Sequence, residues 1–172
     1  MTWTIQLLSA SHDLSSFDCG EASLNSFLQR HALRNDLAGL GRTFVALSPS
    51  SHDHHVQGYF TISTGSIQFD TIPDHARKRL PRYPIPTAHL GRLAVDLCSQ
   101  GKGLGEALLL EALRKVATAS TFIGVYAIDV FALHDRAAKF YLKFGFVPML
   151  DNPHHLLLPI QTALLLAASM ER

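Results

Sequence analysis

Two hydrophobic periods alternate along the chain. Helical spacing appears over residues 21–33, where Leu24, Phe27, Leu28 and Ala32 recur on one side. It returns from Gly103 to about Thr118, where Leu104, Leu108, Leu109, Ala112, Leu113 and Val116 form one stripe. A third helix is predicted over residues 135–144, closed by Gly145 as a C-cap. Short apolar runs predict strands at residues 5–8, 43–47, 56–63, 88–96, 122–131, 146–148 and 155–158, with Ile67 and Phe69 extending the third beyond Gly65. The polar stretch 48–55 predicts a hairpin connection, so the strands on either side should pair antiparallel. Residues 35–41 predict a loop, and residues 74–80 a short basic helix. Pro81, Pro84 and Pro86 then hold the chain extended. The order predicts an α+β (mixed α/β) fold around one sheet, as a single domain over residues 1–172.

Composition changes this picture little. With 47% hydrophobic and 17% charged residues, the 172-residue chain fits an ordinary globular protein. A net charge of +1 supplies no global field for nucleic acid, so any such binding needs a local basic patch. Cys19 and Cys98 form no C-x-x-C pair and read as reduced thiols. The beginning of the chain lacks signal-peptide character. The most apolar tract, residues 156–168, is interrupted by Pro159 and Gln161 and is too short for a bilayer. A cytoplasmic protein without a membrane segment is expected.

The chemistry centres on residues 99–109, Ser-Gln-Gly-Lys-Gly-Leu-Gly-Glu-Ala-Leu-Leu. An apolar strand ends just before them and the Leu104 stripe begins within them. Glycines at such a strand-to-helix junction let backbone N–H groups face an anion, and the helix dipole adds to the attraction. A tight turn with glycines for packing alone is the plainer alternative. The spacing is neither that of a Walker loop, because Lys102 is followed by Gly103, nor G-x-G-x-x-G.

The stretch does read Gln100-x-x-Gly103-x-Gly105, and it resembles the pyrophosphate loop of the GNAT superfamily of acyl-CoA-dependent N-acyltransferases. Leu93-Ala94-Val95-Asp96 before it, and Ala137, Phe140-Tyr141 and Phe144-Gly145-Phe146 after it, follow in the order of that family. Phe17-Asp18-Cys19-Gly20, Leu24-Asn25, Phe27-Leu28, Gly58-Tyr59, Ser63, Pro84-Ile85-Pro86 and Leu90-Gly91-Arg92 resemble one branch of it. Members of that branch are bacterial toxin acetyltransferases that acetylate the α-amine of aminoacyl-tRNA and are neutralised by a ribbon-helix-helix antitoxin.

The resemblance implies a mostly antiparallel sheet splayed at the cofactor strand, helices on both faces, and acetyl-CoA as co-substrate. Main-chain groups of Leu93, Ala94 and Val95 would bind the pantetheine arm. The amides of Gln100, Gly101, Lys102, Gly103, Leu104 and Gly105 would hold the pyrophosphate, with Lys102 adding charge. Tyr141 would protonate the departing thiolate. A phenol, with an ordinary pKa of about 10, keeps its proton at neutral pH and can give it. Relatives that often place Asn three residues before Ala137 have His134 as their counterpart here.

No general base is evident, since Asp96 and Asp129 are the only carboxylates on the central strands and Asp96 reads as part of a turn. An α-amine, with a pKa of about 8, needs a base less than a lysine at about 10.4. The densest basic group, Arg77, Lys78, Arg79 and Arg82, is the candidate tRNA contact. Arg30, Arg34, Arg42 and Arg92 are further candidates for the same face, and Arg92, in an apolar strand, needs a partner. His52, Asp53, His54 and His55, and also His154 with His155, have metal-ligand residue types. The acyl transfer calls for no metal, and none is expected. The partners implied are aminoacyl-tRNA, an antitoxin and a second copy of the chain. Two alternatives remain: a GNAT enzyme for a small amine, peptide N-terminus or protein lysine, and a non-catalytic acyl-CoA-binding module. Tyr141 and the intact glycine loop speak against the module.

Overall fold

The computed structural model describes residues 2–50 and 54–169. The middle of the expected 48–55 connection, with His52 and Asp53, lies outside the described residues. In chain order the strands are β1 (Thr4–Leu7), β2 (Arg42–Leu47), β3 (Val56–Ile67), β4 (Ile85–Val95), β5 (Ala127–Phe131), β6 (Val147–Pro148) and β7 (His155–Pro159). The helices are α1 (Ala22–Arg30), α2 (Ala32–Leu37), α3 (Leu104–Ala119), α4 (Asp135–Leu142) and α5 (Ile160–Ser169). The strands form one sheet in the order β1-β2-β3-β4-β5-β7-β6, mostly antiparallel, as the resemblance implied. Contacts divide the chain into two compact units, residues 1–63 with 91–112, and residues 64–90 with 113–172.

The first unit is built on the β1-β2-β3 meander, whose register runs from Thr4↔Leu47 and Arg42↔Ile62. Its core gathers Phe17, Phe27, Leu28, Val45, Val56, Tyr59 and Ala94. The helix predicted over 21–33 is broken. His31 leaves helical geometry at φ −124, and α2 restarts at Ala32 and runs into the predicted 35–41 loop. The break lets both Phe27 and Ala32 reach the core, and it places the buried Asp36 to accept from Thr43 N–H (3.0 Å) at the head of β2. Gly58 lets α3 approach the sheet closely: a Cβ there would lie 2.8 Å from Leu108 Cδ1 and 3.1 Å from the Ala94 carbonyl.

In the second unit β4 and β5 pair in parallel from Thr87↔Ala127 to Leu90↔Val130, and β7 pairs antiparallel with β5. The β4–β5 register stops at Leu90, while β4 itself runs on to Val95. Ile67, Ile72, Ile85, Ala127, Met149 and Leu157 form the core of this unit. Two predicted elements are corrected here. Residues 74–80 form turns, not a helix: Arg79 sits at φ +69, and Pro81 disfavours helical geometry at Leu80. The strand expected over 122–131 begins only at Ala127, because Phe122 and Ile123 still donate to the Ala119 carbonyl at the end of α3. The apolar tract 156–168 resolves into β7 and α5.

Candidate active site

The glycine loop belongs to the first unit and is fastened before it reaches the glycines. Asp96 accepts from Cys98 N–H (2.9 Å) and Asp18 N–H (3.1 Å), and caps the 3-10 turn Leu97–Ser99. Its carboxylate is thus a loop fastener, as its position in a turn suggested. Ser99 Oγ donates to Gln57 Oε1 (3.0 Å). Gln100, assigned from sequence only through its amide, also uses its side chain: Nε2 donates to the Val95 carbonyl (3.0 Å) and the Cys19 carbonyl (3.2 Å). The Val95 carbonyl is therefore already engaged within the protein.

Gly101 and Gly103 adopt φ +74 and +88, where other residues are strained, and a Cβ at either would meet nothing within 4 Å. Conformation, not crowding, thus demands glycine at both. The backbone N–H groups of residues 100–106 donate to no acceptor among the described residues. Left-handed residues in such a turn can bring successive N–H groups to one side as an anion-binding concavity. This one lies at the N-terminus of α3, where the helix dipole is positive. Lys102 is exposed beside it.

Tyr141 belongs to the second unit, on α4. Its ring packs edge-on against Phe140 (5.1 Å between centroids) and Phe146 (5.4 Å), and the residue is only 5% exposed. Burial pushes its phenol well above the ordinary range, so it stays protonated. Two other tyrosines commit their hydroxyls to carbonyls, Tyr59 to Leu24 and Tyr126 to Ala76. The Tyr141 hydroxyl makes no hydrogen bond among the described residues. Its proton is held firmly and is available to a ligand. His134, where relatives often have Asn, caps α4: Nδ1 accepts from Ala137 N–H (3.1 Å), which is what a capping amide oxygen does.

Sequence reasoning missed one cluster in the second unit. The buried Asp129 on β5 accepts from Thr87 Oγ1 (2.8 Å), His89 Nδ1 (3.1 Å) and His155 Nε2 (3.0 Å). His155 Nδ1 in turn lies 3.1 Å from Asp151 Oδ2, and Phe131 stacks on the His155 ring at 4.0 Å. Burial alone would raise the Asp129 pKa, but the hydrogen bond and charge of His89, then the bonds from His155 and Thr87, more than offset it. The carboxyl is held below the usual carboxylate range. The signal was present as polar residues in three otherwise apolar strands, but only register brings them together. The central strands therefore hold a histidine–carboxylate pair that no single stretch of sequence displays.

The basic candidates separate. Arg77 and Arg82 both lie over the Phe69 ring at 5.5 Å, Arg77 also pairs with Asp74, and Lys78 and Arg79 are exposed in the same turn. Arg92, in the first unit, finds its partner in the Phe27 ring, 3.6 Å below its guanidinium carbon. Arg42 is bound to Asp36 (2.9 Å). Among the described residues no group of three or more His, Cys, Asp or Glu could hold a metal ion, and no helix is long and apolar enough to cross a membrane.

The family profile of the acetyltransferase (GNAT) domain matches residues 41–148. The chain belongs to the GNAT acetyltransferase family. This GNAT chain is 38% identical over 156 residues to the tRNA-acetylating toxin of Mycobacterium tuberculosis (strain ATCC 25618 / H37Rv), covering 91% of each protein. Its fold is similar to AtaT complexed with acetyl-methionyl-tRNAfMet, with a TM-score of 0.88, 33% identity, and 96% of this chain and 99% of that one covered. It is also similar to a Tyr-to-Phe mutant of the AtaT toxin bound to the C-terminus of the antitoxin AtaR and acetyl-CoA (TM-score 0.81, 31% identity, 98% and 99% covered).

Proposed function

We propose that this GNAT acetyltransferase moves the acetyl group of acetyl-CoA to the α-amine of an aminoacyl-tRNA and thereby blocks translation as a toxin. The observation that carries the cofactor half of this reading is the run of uncommitted amides at residues 100–106 around two left-handed glycines. Such a run fits a diphosphate, with Lys102 adding charge at the rim. Leu93, Ala94 and Val95 on β4 hold the pantetheine arm through main chain, within what the Gln100 bond to Val95 leaves open. A main-chain N–H there steadies the charge that builds on the thioester oxygen. Tyr141 gives its proton to the departing thiolate, which its burial and its uncommitted hydroxyl support.

The acceptor half is supported by the tRNA-acetylating relative and by the tRNA complex of AtaT. Within this chain, Lys78, Arg79 and Arg82, with Arg77 anchored on Phe69, are the phosphate contacts; Arg92, stacked on Phe27, is a separate candidate. The antitoxin-bound AtaT supports an antitoxin partner for this chain too. The two units work as one domain, acting in the cytoplasm where charged tRNA is found.

The test is induced expression of the wild-type chain and of Tyr141→Phe at matched levels. The wild type should arrest growth and the variant should not, with a rate loss of about 10²-fold or more. Equal arrest by a stably folded variant would contradict the role given to Tyr141.

A further inference from the structure

One nitrogen of His89 satisfies the buried Asp129, and the other is left over. His89 lies on β4 next to the end of the β4–β5 register, directly opposite Asp129, and its side chain is 29% exposed. Only one of its ring nitrogens is used. Nδ1 donates to Asp129 Oδ2 at 3.1 Å, whereas Nε2 makes no hydrogen bond among the described residues. A carboxylate that holds the Nδ1 proton fixes the neutral ring in the tautomer whose Nε2 carries the lone pair. An imidazole so oriented can accept a proton, and the carboxylate then steadies the imidazolium that forms.

The carboxylate is itself held from three sides. Thr87 bonds its other oxygen and His155 shares Oδ2 with His89, and Asp151 backs His155. Phe131, half-exposed at the end of β5, meets the His89 ring edge-on at 6.1 Å. From β3, Gly65 lets the strand lie close to this cluster: a Cβ there would lie 3.2 Å from His89 Cβ and 2.9 Å from Thr87 Oγ1. Among the described residues, the titratable group in contact with the ring is Asp129. His155 and Asp151 lie beyond it. Each histidine, threonine and carboxylate of the cluster thus has a partner, and His89 Nε2, on a side chain 29% exposed, is the ring nitrogen without one among the described residues.

We propose that His89 is the general base of the acetyl transfer, accepting a proton from the acceptor amine at Nε2, with Asp129 as its positioning residue. This rests on the acetyltransferase reading above. The step balances. The amine nitrogen bonds to the thioester carbon as the carbon–sulfur bond breaks. The amine proton goes to His89 Nε2 and the Tyr141 hydroxyl proton to the leaving sulfur. Exchange with solvent then returns one proton from His89 to Tyr141. The base also widens the acceptors that the chemistry permits, because an amine charged at neutral pH can be deprotonated on the enzyme.

The test compares wild type, His89→Gln, His89→Ala and Asp129→Asn in acetyl transfer from labelled acetyl-CoA, at several pH values. Circular dichroism and acetyl-CoA binding serve as folding controls. His89→Gln should lower kcat by about 10²-fold and remove the fall in rate toward acid pH, with KM for acetyl-CoA unchanged. Imidazole added to His89→Ala should restore part of the rate. Asp129→Asn should lower kcat and leave KM for acetyl-CoA unchanged. A His89→Gln enzyme within threefold of wild type with the same acid limb would overturn the proposal. So would an equal loss at every pH with no imidazole rescue. The wild-type rate on aminoacyl-tRNA judges the acceptor separately. If it is nil, the same ratios measured on an amine that is acetylated still decide the role of His89.

Discussion

At the scale of single residues, the informative groups are those that burial would penalise if nothing used or satisfied them. Tyr141 is buried with its hydroxyl uncommitted, whereas Asp129 is buried and fully engaged. The second case predicts a pH dependence. Asp129 has its pKa depressed in the fold, so the stability it contributes is present above the ordinary carboxylate pKa of about 3.9. That stability is lost as pH falls through the lower folded value. Asp129→Asn should therefore cost about 1–3 kcal/mol at neutral pH. In urea unfolding the gap to wild type should shrink below about pH 4. A gap that stays constant down to pH 3 would contradict this account. Tyr141 was singled out by its register with Ala137, Phe140 and Gly145. Asp129, His89 and His155 could each be picked out singly, but their cluster could not, because residues separated by 40 and 26 positions meet only through strand pairing.

At the scale of elements, the helix stripe of α3 and the glycine loop before it were readable because both obey local rules. Periodicity fixed the buried face, and the glycines marked left-handed backbone. Elements that depend on their neighbours were misread. The apolar run at 122–126 has strand composition but is wound onto the end of α3, and the basic run at 74–80 is too short and too hemmed by proline to make a helix. His31 carries no local signal for the break between α1 and α2. The loop gives a controlled prediction. Gly103→Ala and Gly39→Ala both force alanine into left-handed geometry with open space around it, φ +88 and +77, so each should cost about 1–2 kcal/mol of stability. Only Gly103→Ala should also weaken acetyl-CoA binding, as read by titration calorimetry. Equal affinities in the two variants would mean that the loop does not hold the cofactor. At α4, His134→Ala should cost about 1 kcal/mol through the lost cap, while His134→Asn should stay near wild type in thermal unfolding.

At the scale of the whole molecule, the α+β order of elements followed from periodicity. The family followed from the spacing of a few motifs, from Leu93 through the glycines to Phe146. The acceptor is the least local property of all, since a net charge of +1 hides a basic turn stacked on Phe69 and an Arg92 stacked on Phe27 elsewhere in the sequence. The most direct measurement incubates the purified chain with labelled acetyl-CoA and, in parallel, with charged tRNA, uncharged tRNA and a polyamine. The account predicts label on the amino acid of charged tRNA, none on uncharged tRNA, and loss of the label with Tyr141→Phe. Label that reaches the polyamine but not charged tRNA would contradict it.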